Sequence, residues 1–445
     1  MNRLLCLPWL SLGLAAPLFA AETRPNLIVI LADDLGRGDY AAFGTKDIRT
    51  PSIDRLCREG LTFQNFYANS CVCSPSRAAL LTGCYPDRVG VPGVIRHVQQ
   101  ESWGWLSPHA ALLPQLLKPA GYHSALIGKW HLGLESPNTP TERGFDFFHG
   151  FLGDMLDDYW THLRGGQNFM RRNLEVITPQ GHATDVFTGW ACEYLEERAK
   201  AGGPFFMYLA YTAPHDPIQP PPEWLAKVKE REPGISEKRA KMVALIEHLD
   251  DGIGKVLAAL DRLKLADNTL IVFTSDNGGN LRFGANNGPW RSGKEHMYEG
   301  GLRVPAVVRW PARTKPGGLT ERLALTMDIF ATLCEAAGVK PPPLIDGISF
   351  LPTLAGQAQP EAERNHYFVR REGGVAYAGK TIEALIQGEW KLLQDSPFAP
   401  QELYNLKQDP RETTDLAAKE KGVFKDLAAA LRLHIQCGGQ VPWQH

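Results

Sequence analysis

An α/β fold, with a mostly parallel sheet flanked by helices and a smaller α+β unit after it, is predicted by three features of the chain. Two unbroken apolar runs stand out, Asn26–Ala32 (NLIVILA) and Thr269–Thr274 (TLIVFT). Strands buried on both faces of a parallel sheet read this way, because neither face turns to water. Each run ends in polar residues, Asp33-Asp34 after the first and Asp276-Asn277 after the second. That places oxygen ligands at strand carboxyl ends, where open α/β sheets bind their ligands. Helical spacing separates the strand candidates. It is clearest over Ser236–Leu263, where Met242, Leu245, Ile246, Leu249, Ile253, Val256 and Leu257 share a face.

Further strands are expected at His123–Ile127 and Phe205–Tyr211, with a shorter one at Val304–Arg309. Alternation of strands with helices is the pattern of an α/β sheet. After Pro341-Pro342-Pro343 the character changes. Short strand patterns at His366–Arg370, Ile382–Gln387 and Trp390–Gln394 precede a helical stretch at about Val423–Ile435. The expected division is a leader over residues 1–21, a catalytic unit over 22–344 and an α+β subdomain over 345–445.

The chain has 445 residues, 44% hydrophobic and 22% charged, enough apolar material for a large core. A net charge of −2 argues against a general nucleic-acid binder. Asn2-Arg3, the apolar stretch Leu4–Leu14 and small residues ending at Ala20-Ala21 read as a signal peptide. It is too short to be a spanning helix, and no later segment is long and apolar enough to span. Export, to a periplasm or outside the cell, is expected. Eight cysteines are present. Setting aside Cys6 and Cys73, the pairing of Cys57, Cys71, Cys84, Cys192, Cys334 and Cys437 is open.

The string Cys73-Ser74-Pro75-Ser76-Arg77-Ala78-Ala79-Leu80-Leu81-Thr82-Gly83 carries the chemistry. Pro75 suits the first turn of a helix, since its missing N–H is an orphan there in any case. Ser76–Leu81 reads as helix, which leaves Cys73 at an N-terminus where free N–H groups and the dipole favour an anion. Arg77 offers a permanently charged planar fork. A lone cysteine before a helix is usually a buried structural thiol, and Cys71 is read that way; the context of Cys73 reverses that reading.

This string resembles the signature of the type I sulfatases, in which the cysteine is converted to formylglycine and becomes the nucleophile. The likeness runs from about Pro25 to Pro311, and more loosely through Gly388–Leu392 and Glu402–Leu406. It implies an alkaline-phosphatase-like sheet. Asp33, Asp34, Asp276 and Asn277 resemble the metal ligands of the family, with residue 73 beside the ion. Three carboxylates and an amide form an oxygen-only site suited to Ca²⁺, the family's usual ion, or Mg²⁺, and poor for zinc. Gly128-Lys129-Trp130-His131-Leu132-Gly133 resembles the second sulfatase signature. There Lys129 would bridge formylglycine and sulfate, and His131 would contact a hydroxyl of the hydrate. His215, in Pro214-His215-Asp216-Pro217, resembles the histidine that protonates the leaving group. Lys294, ahead of Glu299-Gly300-Gly301-Leu302-Arg303-Val304-Pro305, resembles the second sulfate-binding lysine; Arg303 is read as structural.

The resemblance implies sulfate-ester hydrolysis and a maturating enzyme that makes the formylglycine from Cys73. Family members place a serine after a Phe-Leu-Gly like Phe151-Leu152-Gly153, where this chain has Asp154, Asp157 and Asp158. No catalytic role is assigned to them. Two rival readings are a phosphate or phosphonate ester hydrolase of the same superfamily and, were Cys73 to stay a thiol, a non-catalytic sulfated-glycan binder. Export points to sulfated sugars or polysaccharide fragments as substrate. Trp103, Trp105, Trp160, His162, Arg164, Arg171 and Arg172 can either contact such a substrate or pack in the fold.

Overall fold

The run Asn26–Ala32 forms strand β1, buried along its whole length. It lies at the centre of the fold in the computed structural model of the chain, which describes residues 24–360, 364–373 and 379–443. The expected signal peptide lies outside the described residues. Eleven further strands precede the C-terminal part: β2 (Leu61–Tyr67), β3 (His123–Lys129), β4 (Phe147–Phe151), β5 (Leu163–Arg164), β6 (Gln167–Asn168), β7 (Met170–Arg172), β8 (Glu175–Val176), β9 (Phe205–Ala210), β10 (Thr269–Ser275), β11 (Ala306–Arg309) and β12 (Gly318–Leu325). All but the β5–β6 hairpin join one ten-stranded sheet, in the order β12-β2-β11-β10-β1-β9-β3-β4-β7-β8.

The central strands β10-β1-β9-β3-β4 are parallel throughout. The sheet keeps the expected parallel order at its centre and adds antiparallel pairs at its flanks. The strand expected at Val304–Arg309 begins at Ala306 and runs antiparallel to β10 and to β2. The reason lies in the connection. Between β10 and β11 there is no crossover helix to return the chain, so it stays at the carboxyl edge and re-enters the sheet from there. At the other flank β7 and β8 fold back on β4 as antiparallel hairpin strands.

Among the described residues ten helices cover the faces: α1 (Pro51–Glu59), α2 (Cys73–Thr82), α3 (Leu113–Leu117), α4 (Ala183–Ala201), α5 (Pro222–Arg231), α6 (Glu237–Arg262), α7 (Glu299–Leu302), α8 (Thr326–Ala336), α9 (Leu351–Leu354) and α10 (Lys421–Gly438). The long amphipathic α6 starts where the Ser236 side chain accepts the N–H of Arg239. It packs against α1, α4 and α5. Helix α2 is different, because every one of its residues is buried. It begins at Cys73 itself, the N-terminal position expected for that residue, and is capped by Gly83 in the left-handed region (φ 70°). A side chain at Gly83 would drive into Phe330 of α8.

The C-terminal strands β13 (His366–Arg371), β14 (Thr381–Gln387), β15 (Trp390–Gln394) and β16 (Glu402–Asn405) form a separate antiparallel sheet with α10 packed on it. Its core is shared. Tyr367, Phe368, Leu385 and Leu392 of this sheet pack with Tyr67, Cys71, Val72 and Ala79 around the start of α2. The seven described cysteines are all free. Among the described residues no helix is long and apolar enough to cross a membrane.

A buried ionic triad also joins the two sheets. Lys391 Nζ of β15 lies 3.0 Å from Glu299 Oε1 of α7 and 2.8 Å from Glu412 Oε1. Burial, with Glu299 adding repulsion that Lys391 does not cancel, pushes the Glu412 carboxyl up to about 7. Replacing Lys391 by Met strands two buried carboxylates. Breaking a buried pair in this way costs about 3–5 kcal/mol. Lys391→Met should therefore unfold in guanidinium chloride with that much less stability, and a loss below about 1 kcal/mol would show that the triad does not hold the two sheets together.

Candidate active site

Strand register assembles the floor of the site. Ala32 of β1 pairs with Ser275 of β10, so Asp33-Asp34 and Asp276-Asn277 leave the sheet side by side. Asp34 takes a left-handed conformation (φ 68°), and its N–H donates to Asp276 Oδ1 at 3.2 Å. The four residues are buried. Lys129 is the last residue of β3, and His131 follows with φ 61°. His215 lies in the turn after β9, where its N–H donates to Thr212 O. Cys73 enters from above as the first residue of α2, and Lys294 comes from the long connection between β10 and α7.

The contacts among these residues are ionic and short. Lys129 Nζ donates to Asp33 Oδ2 at 2.6 Å. Lys294 Nζ donates to Asp34 Oδ2 at 2.7 Å and to His215 Nε2 at 2.8 Å. Arg77 sends Nε and Nη2 to Asp276 Oδ2, at 3.0 and 2.8 Å, and Nη1 to the Lys129 carbonyl. Cys73 Sγ stands 3.5 Å from Asp33 Oδ1. Three carboxylates thus face three cations, and a buried charge without such a partner would be untenable.

Two tautomers follow from backbone carbonyls, which can only accept. His131 Nε2 lies 2.8 Å from Ile95 O, so it carries the proton and leaves the buried Nδ1 as a bare acceptor with no partner. Burial, aided by Lys129 and Arg77, holds the His131 ring neutral well below its ordinary pKa. His215 Nδ1 lies 2.7 Å from Asp216 O and donates to it, so Nε2 accepts from Lys294. Tyr159 Oη, bonded to both Thr212 O and His215 O, fixes this turn from below.

Electrostatics sort the remaining groups. Burial penalises the Asp33 carboxylate, but Lys129, His215, Arg77 and Lys294 overcome it and hold the group ionised well below the usual range. Asp276 is pushed up to about 6 by burial and by Asp33 beside it, against Arg77. Burial works against the Lys294 ammonium, yet Asp34, Cys73 and Asp33 hold it charged well above the ordinary value. The Cys73 thiol is driven well above its ordinary value by burial, which Lys129 and Lys294 do not offset. As a thiol it is therefore protonated and a poor nucleophile.

Cys73, His131, His215 and Lys294 line a cavity of about 460 Å³, whose outer wall includes Arg96, Asp154, Arg164, Arg282, Phe283 and Arg370. Asp33, Asp34, Asp276, Asn277, Arg77 and Lys129 lie beneath this lining. The oxygen donors of Asp33, Asp34, Asp276 and Asn277 suit a hard cation. Donor atoms of Asp33, Asp34, Cys73 and His215 lie within 4.8 Å of one another. Asn277 Oδ1 is buried with no partner, as the amide gives Nδ2 to Asp34 Oδ1 at 2.7 Å. Histidine joins this geometric group, which the sequence does not indicate. Asp276 lies outside it, its Oδ2 turned to Arg77.

The family model for sulfatases matches residues 25–339, most of the chain. This chain belongs to the sulfatase family. It is a sulfuric ester hydrolase. A second model, the C-terminal part of N-sulphoglucosamine sulphohydrolase, matches residues 290–436. The N-acetylgalactosamine-6-sulfatase of Canis lupus familiaris is 33% identical over 393 residues, 83% of this chain and 72% of that protein. The steryl-sulfatase of Mus musculus is 32% identical, over 77% of this chain and 67% of its own. The crystal structure of Ps i-CgsB with k-i-k-neocarrahexaose superposes with a TM-score of 0.87 at 31% identity, covering 95% of both chains. The phosphonate monoester hydrolase of Agrobacterium radiobacter shares the fold, with a TM-score of 0.68 at 24% identity over 93% of this chain and 96% of that one.

In this sulfatase the aromatic and basic residues left open between substrate contact and packing mostly make contacts within the fold. Trp103 packs over Gly93 and Gly373, and Trp160 lies edge-on to His182. His162 is buried, bonded to Gly181 O. Arg171 donates to backbone carbonyls of Asn168 and Met170, and Arg172 stands over the Phe147 ring. Trp105 does not line the cavity. Arg164 alone of the seven lines it, and its fork is held by Asp154 at 2.8 and 3.0 Å and by Asp157 at 2.8 Å. Asp154, which follows Phe151-Leu152-Gly153, is thus part of the cavity wall. Arg96 and Arg370 had no sequence signal, because only the tertiary fold brings them to the cavity that Cys73 lines.

Proposed function

We propose that this sulfatase removes a sulfate ester from a sulfated sugar, with Cys73 matured to formylglycine as the nucleophile. One observation carries the reading. The residue at the start of α2 meets Asp33, the paired lysines' carboxylates and two histidines of fixed tautomer at a single cavity floor. Sugars are favoured because relatives are named for N-acetylgalactosamine 6-sulfate and one structural neighbour binds a neocarrahexaose. The reading includes export, a maturating enzyme as partner, and a catalytic unit (22–344) that works with the C-terminal subdomain (345–445).

Asp33, Asp34, Asp276 and Asn277 would hold Ca²⁺ or Mg²⁺. When bound, such an ion supplies Lewis-acid polarisation of the nucleophile and of a sulfuryl oxygen. Formylglycine supplies a hydrated aldehyde, with one hydroxyl to attack sulfur and a second that lets sulfate leave, which an ordinary serine lacks. Lys129 and Lys294, already fixed by Asp33 and Asp34, direct N–H groups at the sulfuryl oxygens, the preorganised electrostatic work that dominates such transfers. Arg77 keeps Asp276 oriented. His131 presents a bare Nδ1 that can take a proton from the nucleophile. His215, its Nδ1 donating to Asp216 O, turns Nε2 to the cavity and, when protonated there, gives that proton to the departing oxygen.

The tryptic peptide Glu59–Arg77 of active enzyme should be lighter than its thiol form and should trap carbonyl reagents. Fully active protein that carries only the thiol would refute the mechanism. Cys73→Ala should keep the far-UV circular dichroism and lose turnover by about 10³-fold or more.

Exhaustive chelation should remove activity, and Ca²⁺ or Mg²⁺ should restore it. In Asp276→Ala no added ion should restore it, since a ligand and the partner of Arg77 are both gone. Unchanged activity after verified metal removal would sink the assignment.

His215→Ala should lower turnover of sugar sulfates by about 10²–10⁴-fold, the usual worth of a general acid. Aryl sulfates with acidic phenols need little protonation and should lose far less. Equal losses on both would instead make His215 a sulfate-binding group.

A further inference from the structure

We infer that the catalytic cavity contains a second anion subsite at Arg370, so that the preferred substrate carries another sulfate or a carboxylate beside the ester that is cleaved. This rests on the sugar-sulfate reading above for the kind of molecule, and on separate observations for the subsite.

Arg370 comes from β13 of the small sheet and lines the cavity together with Cys73, His215 and Lys294. Its neighbour Arg371 points the other way, as strand alternation requires, and bonds Tyr367 Oη with Asp87 and Glu383 nearby. Arg370 is 1% exposed, and its fork is only partly used. Nε donates to Glu372 Oε1 at 3.0 Å, and Nη2 reaches Glu372 Oε2 at 3.2 Å and Glu295 Oε1 at 3.4 Å. Nη1 is buried and has no hydrogen-bond partner among the described residues. Buried donors of native proteins are nearly always satisfied, and an unsatisfied charged one is the more expensive kind.

The surrounding charge selects an anion over a neutral hydroxyl. Glu372 is shared with Arg96, whose Nη2 lies 2.6 Å from Oε2. Glu295 is shared with Lys380, 3.8 Å away. Three cations, Arg96, Arg370 and Lys380, thus face two carboxylates, Glu372 and Glu295. A guanidinium fork with free N–H groups pairs best with a sulfate or carboxylate.

The subsite is tied rigidly to the reaction centre and is distinct from its sulfate-binding lysines. Glu295 N donates to Cys71 O at 2.9 Å, and Ser70 Oγ donates to Val369 O at 2.7 Å. Val94 N donates to Glu372 Oε1, while Ile95 holds both Ser74 Oγ and His131. A second anion at Arg370 is therefore read at a fixed offset from the scissile ester.

The test compares matched probes on wild type, Arg370→Gln and Arg370→Lys, with thermal melts confirming the fold. One arm pairs N-acetylgalactosamine 6-sulfate with the 4,6-disulfate. The other pairs the 6-sulfate with a disaccharide that adds a glucuronate. Each is measured as substrate or, where not turned over, as a competitive inhibitor of 4-methylumbelliferyl sulfate hydrolysis. Wild type should favour the doubly anionic member of at least one pair by about 10–100-fold, the worth of a charged hydrogen bond. The arm that shows the preference identifies the second group. Arg370→Gln should erase it, and Arg370→Lys should retain part. No preference in wild type, or a preference that survives Arg370→Gln, overturns the subsite. Failure of the sugar-sulfate reading would look different: wild type would hydrolyse 4-methylumbelliferyl sulfate, yet no sugar sulfate would act as substrate or inhibitor.

Discussion

Three carboxylates buried side by side at the ends of two adjacent strands set the terms for everything around them. Asp33, Asp34 and Asp276 could not share this space in ionised form without cations close by. Arg77, Lys129 and Lys294 meet that need, each from a different element: α2, β3 and the β10–α7 connection. Helix α2 must therefore sit where Arg77 can reach Asp276, and that position alone puts Cys73 over Asp33. The connection after β10 must stay at the carboxyl edge so that Lys294 reaches Asp34, which is why β11 enters the sheet antiparallel. A divalent ion in this balanced set would leave the floor net positive, which suits an anionic sulfate ester.

The small C-terminal sheet is part of the same machine. Its core continues under the start of α2, and Lys391 reaches across to Glu299, five residues beyond Lys294. Residues 94–96 make a second bridge. They hold Glu372 on one side and, on the other, Ser74 of α2 and His131, whose tautomer Ile95 decides. The two sheets thus meet at the reaction centre, where strain on one is felt by the other.

Much of this was legible in the residues themselves. Apolar runs on β1 and β10 marked the centre of the sheet, because strands covered on both faces leave no polar alternation. The polar pairs at their ends marked the edge. The long α6 matched its apolar spacing almost to the residue. Strand β2 was less legible, since Thr62, Gln64 and Asn65 interrupt its apolar residues. Pro75 and the run after it put residue 73 at the N-terminus of α2, although a wholly buried helix has no amphipathic rhythm to follow. At the site, individual motifs brought Cys73, Lys129, His131, His215 and Lys294 into view. Arg96 lies far in the chain from Arg370 and Glu372, and no local pattern signals a triad that only the meeting of two sheets creates. Trp103, Trp105 and Trp160 stayed open between packing and ligand contact, as local composition cannot distinguish a ring that packs from one that waits for a ligand.

The burial of α2 bears on the life history of the protein. Cys73 is 3% exposed, the helix it opens is enclosed from end to end, and the C-terminal sheet closes over its first turn. If Cys73 is matured as proposed, a modifying enzyme that met the folded chain would have to reach a side chain with almost no exposed surface. On that reading the modification belongs to the time before α2 is enclosed, and a molecule that folds with the thiol keeps it out of reach.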